Sequence, residues 1–321
     1  MWRVSLYLYK KPRSIQQDTH LCKQALKISF NLRLMWGIFF MKRENMRLQE
    51  LIKYGKDQLK NNKIDDETIK AKTLLKYILN VDDAYLIIHN NEIQSTEIEK
   101  KYKDHIEELA EGKPLQYITH TQEFMKLNFY VDENVLIPQP DTEILVLQTI
   151  KRIKQYENNN IKVLDLCTGS GAIAISLAKE FENKNIQVYA SDISSKALEV
   201  AKKNAKQNNV QINFINSNMF ESIKEKFDII VSNPPYIETK VINKLSKDVQ
   251  SEPYIALDGG EDGLKYYKII ANKYEKYLKE DGTLLLEIGY DQKQSVTELF
   301  INKRVECIKD LAQNDRVIIV K

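Results

Sequence analysis

Cysteine is scarce in this sequence: Cys22, Cys167 and Cys307 are odd in number and far apart. That excludes a disulfide framework and a cysteine-rich zinc module, and it indicates a reducing compartment. The four histidines, His20, His89, His105 and His120, show no metal-ligand spacing, so no metal site is expected. No repeat with a period of about 20–50 residues is present. Long apolar runs are also missing. The longest in the first 45 residues, Leu34–Met41, has eight residues, where a bilayer span needs about 20. No small-residue cleavage pattern follows it, because the chain continues Lys42-Arg43-Glu44-Asn45, so a secretory signal is excluded.

What is present is enough to fold. With 43% hydrophobic and 29% charged residues the chain is not disordered for most of its length, and 321 residues suit about two domains. The formal charge of +3 is unevenly placed. Residues 1–45 hold nine Lys/Arg against two acids, +7, which leaves −4 on the remainder. The body's field therefore does not draw in a polyanion, and no direct contact with nucleic acid is expected. The basic segment lacks helical or strand periodicity, and Pro12 breaks its early part. Its composition suits an organellar targeting peptide. Helical periodicity beginning near Met41 or Met46 suits instead a mis-assigned upstream start. We read residues 1–45 in that second way, as a poorly ordered leader outside the working protein.

Residues 46–112 carry three helical patterns, around Leu48/Leu51/Ile52/Leu59, Leu74/Leu75/Ile78/Leu79 and Ile98/Tyr102/Ile106/Leu109, and Gly112-Lys-Pro114 ends the last. They predict a small helical bundle. Residues 113–137 change to alternation, in Gln116-Tyr-Ile118, Glu123-Phe124 and Leu127–Val131, which predicts one or two β-hairpins acting as a linker. Pro138-Gln-Pro140 closes that stretch, and Asp141-Thr142-Glu143 is expected to cap a helix running through Ile153. From 138 to 321 short apolar strands alternate with amphipathic helices. Strands are predicted at Val163–Leu166, Gln187–Ala190, Ile212–Ile215, Phe227–Val231 and Thr283–Glu287, with helices Ala172–Glu180 and Ser194–Asn208 between them. That pattern means an α/β fold with a parallel sheet covered on both faces. Two further strands, Val305–Ile308 and Val317–Val320, are joined by a link too short for anything but an antiparallel pair.

Three constellations carry chemistry. The first is Asp165-Leu-Cys-Thr-Gly-Ser-Gly171, between the first strand and its helix. Glycines there let the backbone turn sharply and approach a ligand at the positive end of a helix, although ordinary turn chemistry also uses them. The spacing is not the dinucleotide G-x-G-x-x-G. The second is Asp192, at the end of the second strand and 21 residues beyond Gly171, where a carboxylate can accept both hydroxyls of a ribose or cap the next helix. The third is Asn233-Pro234-Pro235-Tyr236, directly after the fourth strand at the carboxyl edge of the sheet. A planar nitrogen is a poor nucleophile because its lone pair is delocalised. Held through its two N–H groups by the Asn233 side-chain oxygen and the Pro234 carbonyl, with Tyr236 stacked on the planar group, it can aim that lone pair at an electrophilic methyl. Asn-Pro-Pro can also be a plain surface turn. After this strand, in a sheet already carrying Gly171 and Asp192, the catalytic reading is preferred.

Asp165–Gly171, Asp192 and Asn233–Tyr236 resemble the class I S-adenosylmethionine-dependent methyltransferases that modify planar nitrogens, whose sheet is Rossmann-like. Gln116-Tyr-Ile118, Glu123-Phe124, Leu136–Glu143, Ala256–Leu264 and Asn314-Asp-Arg316 are similar to the HemK family. That family methylates the glutamine of the Gly-Gly-Gln motif in peptide chain release factors. The resemblance runs from about Met46 to Lys321. It implies S-adenosyl-L-methionine as cofactor, with Asp165, Cys167, Thr168, Gly169, Ser170 and Gly171 around its methionine end together with Ala172. It further implies Asp192 on the ribose, Met219 along the adenine, and Asn233 at the methyl-transfer point. Asn233, Pro234, Pro235 and Tyr236 would be catalytic and hold the glutamine, with Glu123 and Phe124 as substrate wall. The helical residues 46–112 would dock the release factor, and the enzyme would be a cytoplasmic monomer without a membrane partner. Two positions depart from the family: Gln139 replaces an Arg between the prolines, and Asn218-Met219 replaces an Asp-aromatic pair. A ribosomal-protein glutamine, an exocyclic amino group of nucleic acid, and a non-catalytic cofactor-binding module are the rival readings. Asp258–Gly263 resembles a calcium loop only in composition and reads as a tight surface turn.

Overall fold

The computed structural model describes residues 45–321 apart from 157–159 and 185. The leader reading of residues 1–45 therefore lies, but for Asn45, outside the described residues.

Helices α1 (Leu48–Asn61), α2 (Glu67–Leu79), α3 (Asp83–Ile88) and α4 (Thr96–Glu111) come first. Their apolar stripes meet through Leu48, Leu51 and Leu59 of α1, Ala71, Leu74 and Leu75 of α2, and Tyr102, Ile106 and Leu109 of α4, all buried. The Tyr102 hydroxyl donates to the Ala71 carbonyl at 3.2 Å, so its one polar atom is satisfied inside. Caps fix the ends. The Glu50 carboxylate accepts from the Arg47 amide at 2.8 Å, the Ser95 hydroxyl accepts from the Ile98 amide at 3.2 Å, and Gly112 closes α4 at φ +110°. Helix α3, unforeseen from periodicity, starts on an Asp82 carboxylate that accepts from the Tyr85 amide at 2.8 Å.

Gln116-Tyr-Ile118 corrects the expected alternation, since Leu115–Thr119 is a short helix, α5. Tyr117 and Ile118, neighbours in sequence, are both buried, which a strand with one covered face does not allow. The hairpin is confined to β1 (Gln122–Phe124) and β2 (Leu127–Phe129).

The remaining elements are α6 (Thr142–Ile153), β3 (Ile161–Leu166), α7 (Ala172–Glu180), β4 (Ile186–Asp192), α8 (Ser195–Gln207), β5 (Asn213–Asn216), β6 (Phe227–Ser232), α9 (Lys265–Tyr277), β7 (Leu278–Glu287), β8 (Val305–Lys309) and β9 (Asp315–Val320), with short helical turns between β6 and α9 and after β7. The sheet order is β5-β4-β3-β6-β7-β9-β8. Neighbours pair in parallel from β5 to β7, and β9 pairs antiparallel with both β7 and β8. Alternate residues of one strand enter different cores. Val163, Ile229, Val231 and Leu285 pack with α6 and α7, while Leu164, Leu166, Ile230 and Leu286 pack with Tyr267 and Ile270 of α9. Phe124 and Phe129 of the hairpin join the first core, edge to face at 6.1 Å between ring centroids. The strand order reverses between β3 and β6, so the carboxyl ends of β3, β4 and β6 open onto one crevice.

Candidate active site

The loop leaving β3 turns through three residues of positive φ, Cys167 (+64°), Gly169 (+54°) and Gly171 (+82°). Hydrogen bonds to the next strand hold it. The Thr168 amide donates to the Ser191 carbonyl and the Gly169 amide to Asp192 Oδ2, both at 2.9 Å. A Cβ on Gly171 would lie 2.9 Å from Ile175 and 3.1 Å from Ala201, so glycine there lets α7 and α8 approach. Asp165 is fully buried beneath the loop. Its Oδ2 accepts the Thr168 hydroxyl at 2.6 Å and the Ala174 amide at 3.2 Å, while its Oδ1 has no partner. Burial pushes this carboxyl up to about 7.

Asp192 closes β4 with both oxygens engaged: Oδ2 by the Gly169 amide, and Oδ1 by the Ser194 amide at 2.9 Å. Burial raises its pKa against the pull of those donors. It is not the cap of α8. The Ser194 hydroxyl is, accepting from the Ala197 amide at 3.1 Å. Across the crevice Met219 sits at φ +50° with its sulfur 3.8 Å from the Cys167 Sγ, and burial pushes the Cys167 thiol up. Asn218 donates to Glu221 at 3.0 Å, and Gln139 donates to the Ile137 carbonyl at 3.1 Å.

These walls surround an open cavity, about 990 Å³ when the solvent space at its mouth is included. Cys167, Thr168, Gly169, Ser170, Ala172, Asp192, Met219, Asn233 and Pro235 line it. Pro138, Gln139, Pro253, Ile255 and Tyr266, none of them assigned there from the sequence, line it too. Several assigned residues stand back from it. Asp165 and Gly171 support the loop from behind. Phe124 is spent in the core, and Glu123 is exposed on the hairpin opposite Asn128, so neither reaches the cavity wall. Pro234 is buried off the lining, and Tyr236 faces the Glu287 carboxylate instead of the cavity.

Asn233 is tied from behind, its Nδ2 donating to Thr142 Oγ1 at 3.1 Å. Thr142 opens α6, and its hydroxyl faces Glu287, which closes β7. Burial pushes the Glu287 carboxyl up to about 7 despite the nearby Arg316 guanidinium. Arg316 ion-pairs with Asp141 at 3.0 Å and Asp310 at 3.1 Å. The Asp141 side chain therefore makes no cap bond to α6 as its position had suggested, because a charged partner has taken it. The Asp258–Gly263 stretch is more than a surface turn. Ile237 donates to the Leu257 carbonyl at 3.0 Å, and Gly259 donates back to Ile237 at 2.8 Å, which locks the backbone following Tyr236. The signal for Thr142 and Glu287 was present in the sequence: a hydroxyl within Pro-Asp-Thr-Glu, and an acid ending an otherwise apolar Leu284-Leu285-Leu286.

The cavity suits a nucleoside with a charged tail. It offers a carboxylate at the β4 end, apolar sides at Met219 and Ile193, and open space over the loop, where a Cβ on Gly169 would meet no protein atom within 4 Å. The fold and this crevice place the protein among the class I methyltransferases, whose cofactor is S-adenosylmethionine. Residues 142–252 match the family described as methyltransferase small domain, and residues 50–119 match the PrmC N-terminal domain. A release factor glutamine methyltransferase of Clostridium botulinum is 40% identical over 283 residues, covering 85% of this chain and 98% of that one. Its counterpart in Clostridium acetobutylicum is 42% identical over 259 residues, covering 78% and 89%. The solved hMettl16 catalytic domain, in complex with MAT2A 3′UTR hairpin 6, shares the fold with a TM-score of 0.52 at 15% identity, over 66% of this chain and 83% of that one. The chain belongs to the release factor glutamine methyltransferase family.

Proposed function

We propose that the protein transfers a methyl group from S-adenosylmethionine to the side-chain amide nitrogen of the glutamine in the Gly-Gly-Gln motif of peptide chain release factors. The observation that carries this reading is the state of Asn233. Its amide nitrogen is occupied by Thr142, which leaves Oδ1, on a residue lining the cavity, as the atom free to accept from a substrate. Asn233 Oδ1 and the Pro234 carbonyl would each take one N–H of the glutamine amide. Held so, the nitrogen cannot rotate, and its lone pair is fixed in direction. S-adenosylmethionine, when bound, supplies an electrophilic methyl on a sulfonium.

Thr168, Gly169, Ser170 and Ala172 would hold the methionine end, Asp192 the ribose and Met219 the adenine, while Asp165 and Gly171 keep the loop in shape. Catalysis is then chiefly positioning. The methylated amide nitrogen carries charge and is acidic enough to give its proton to water, so Asn233 and Tyr236 need not act as bases. Residues 46–112 would dock the release factor, 113–137 link, and 138–321 catalyse, in a cytoplasmic monomer that makes no direct nucleic-acid contact. Among the described residues no helix is long and apolar enough to cross a membrane.

The test is purified protein with cofactor and release factor, the glutamine being read by mass spectrometry. Asn233→Ala should lose about a hundredfold in transfer rate, as removal of a transition-state hydrogen-bonding group does, with cofactor affinity kept. Undiminished transfer by that variant would sink the mechanism.

A further inference from the structure

Behind Asn233, three stretches far apart in sequence meet. Thr142 is 6% exposed, and its Oγ1 accepts from Asn233 Nδ2 at 3.1 Å. On its other side the hydroxyl faces Glu287, which is 2% exposed. Arg316 stands beside Glu287 and is itself gripped by Asp141, the residue before Thr142, and by Asp310.

A threonine hydroxyl has one proton to give. Burial and the Arg316 guanidinium pull the nearby Glu287 carboxyl in opposite directions, burial the more strongly. In the contact that the structure shows, the Thr142 oxygen is the acceptor, with Asn233 Nδ2 donating to it. An acceptor at that place admits only the NH₂ side of the Asn233 amide. An unsupported asparagine could turn by half a circle and present NH₂ to the cavity. There it would face the N–H groups of the substrate amide, donor against donor.

We propose that Thr142 is a positioning residue for methyl transfer: by accepting from Asn233 Nδ2, its hydroxyl holds the Asn233 amide with Oδ1 towards the substrate. The inference rests on the reading of Asn233 as the substrate-amide acceptor. It explains why the Pro-Asp-Thr-Glu stretch, whose Thr142 reaches the cavity wall beside Asn233, and the Asn-Asp-Arg stretch converge at the asparagine. Asp141 and Arg316 clamp the first turn of α6, and Thr142 transmits that fixed position to the cavity wall.

The experiment compares Thr142→Val, Thr142→Ala and Thr142→Ser, alone and combined with Asn233→Ala. Methyl transfer to release factor is followed under single-turnover and steady-state conditions, and cofactor affinity by calorimetry serves as the check on folding. Valine keeps the shape and alanine the small size, so one folded variant lacking the hydroxyl suffices. We expect kcat to fall roughly 10- to 100-fold in both, the loss typical of a misplaced reacting group, with KM for release factor and cofactor affinity within about threefold. Serine should restore most of the rate, and Thr142→Val should cost nothing further once Asn233 is alanine. If Asn233→Ala is impaired while Thr142→Val and Thr142→Ala keep full kcat, the inference falls and the function stands. A full multiplicative loss in the double variant also overturns it, because Thr142 would then act by another route. Undiminished activity of Asn233→Ala would remove the reading beneath it.

Discussion

Replacing Gly263 by alanine tests how tightly the Asn-Pro-Pro-Tyr turn must be held. Gly263 has φ +69°, and a Cβ built on it lies 2.5 Å from the Tyr236 carbonyl oxygen and 2.7 Å from Gln292 Nε2. The Gln292 amide can swing aside, but the Tyr236 carbonyl belongs to the turn itself and already accepts from Gln292 at 3.0 Å. Opening the contact past 3.0 Å moves that carbonyl by about 0.5 Å. The left-handed backbone alone costs about 1–2 kcal/mol for a residue with a Cβ. Displacement of the turn costs activity: a 1 Å misplacement is worth about a hundredfold, so half of that is roughly tenfold in kcat. Gly260 is the control, with φ +87° and its nearest neighbour the Lys265 side chain at 3.1 Å, away from the turn. Gly260→Ala should lose similar stability in a denaturant melt and keep its rate. Gly263→Ala should lose both, while cofactor affinity, set at the β3 and β4 ends, stays unchanged. Equal kcat in the two variants would refute the claim that this loop sets the position of the turn.

Two further outcomes follow from the buried carboxylates. In Asp192→Asn the side chain has one acceptor for the two backbone donors at Gly169 and Ser194, and its NH₂ opposes one of them. Losing a charged hydrogen bond of about 1.5–3 kcal/mol should weaken cofactor binding roughly 10- to 100-fold by calorimetry, and a change below threefold would refute it. Glu252, whose Oε2 accepts the Ile137 amide at 2.9 Å, is pushed up by burial to about 7 from its ordinary 4.5. Its folded pKa lies above its unfolded one, so its contribution is intact below about pH 4.5 and is lost as pH rises through 7. Glu252→Gln keeps an acceptor and never charges. It should be more stable than the parent above pH 7, by an amount on the order of 3 kcal/mol, and indistinguishable from it near pH 4. A pH-independent difference in melts would contradict this.

The parallel strands were readable because a strand buried on both faces must be apolar throughout, as Val163-Leu164 and Ile229-Ile230-Val231 are. Thr168, Gly169, Asp192 and Asn233 were readable because strand ends open onto the crevice, and there sequence position implies location. Depth was not. Spacing says that Asp165 and Gly171 belong to the loop but not on which side of it they point, and both turned out to be its support. Tyr236 was expected on the substrate, but it turns to a carboxylate 51 positions further on. The meeting of Thr142 with Asn233 was not legible, because 91 positions separate them and neither spacing nor periodicity brings them together. The helix at Leu115–Thr119 was not legible because five residues are too few to display a helical period. Glu123 and Phe124 carried family likeness, which marks a position as informative without saying whether it packs or reacts.

The place of β9 has a consequence for how the protein is made. It is the last strand in chain order, yet it lies between β7 and β8, with Val317–Val320 buried. While the ribosome is still adding residues 315–320, β7 has an unpaired backbone edge and β8 has no neighbour. Asp141, some 175 positions earlier, is still waiting for Arg316. The sheet cannot close progressively from its first strands, because the place next to its β8 edge is filled from residues 315–320. A nascent chain therefore carries an open edge on β7 until residues 315–320 have been made. An unpaired edge of that kind is a ready template for pairing with another chain.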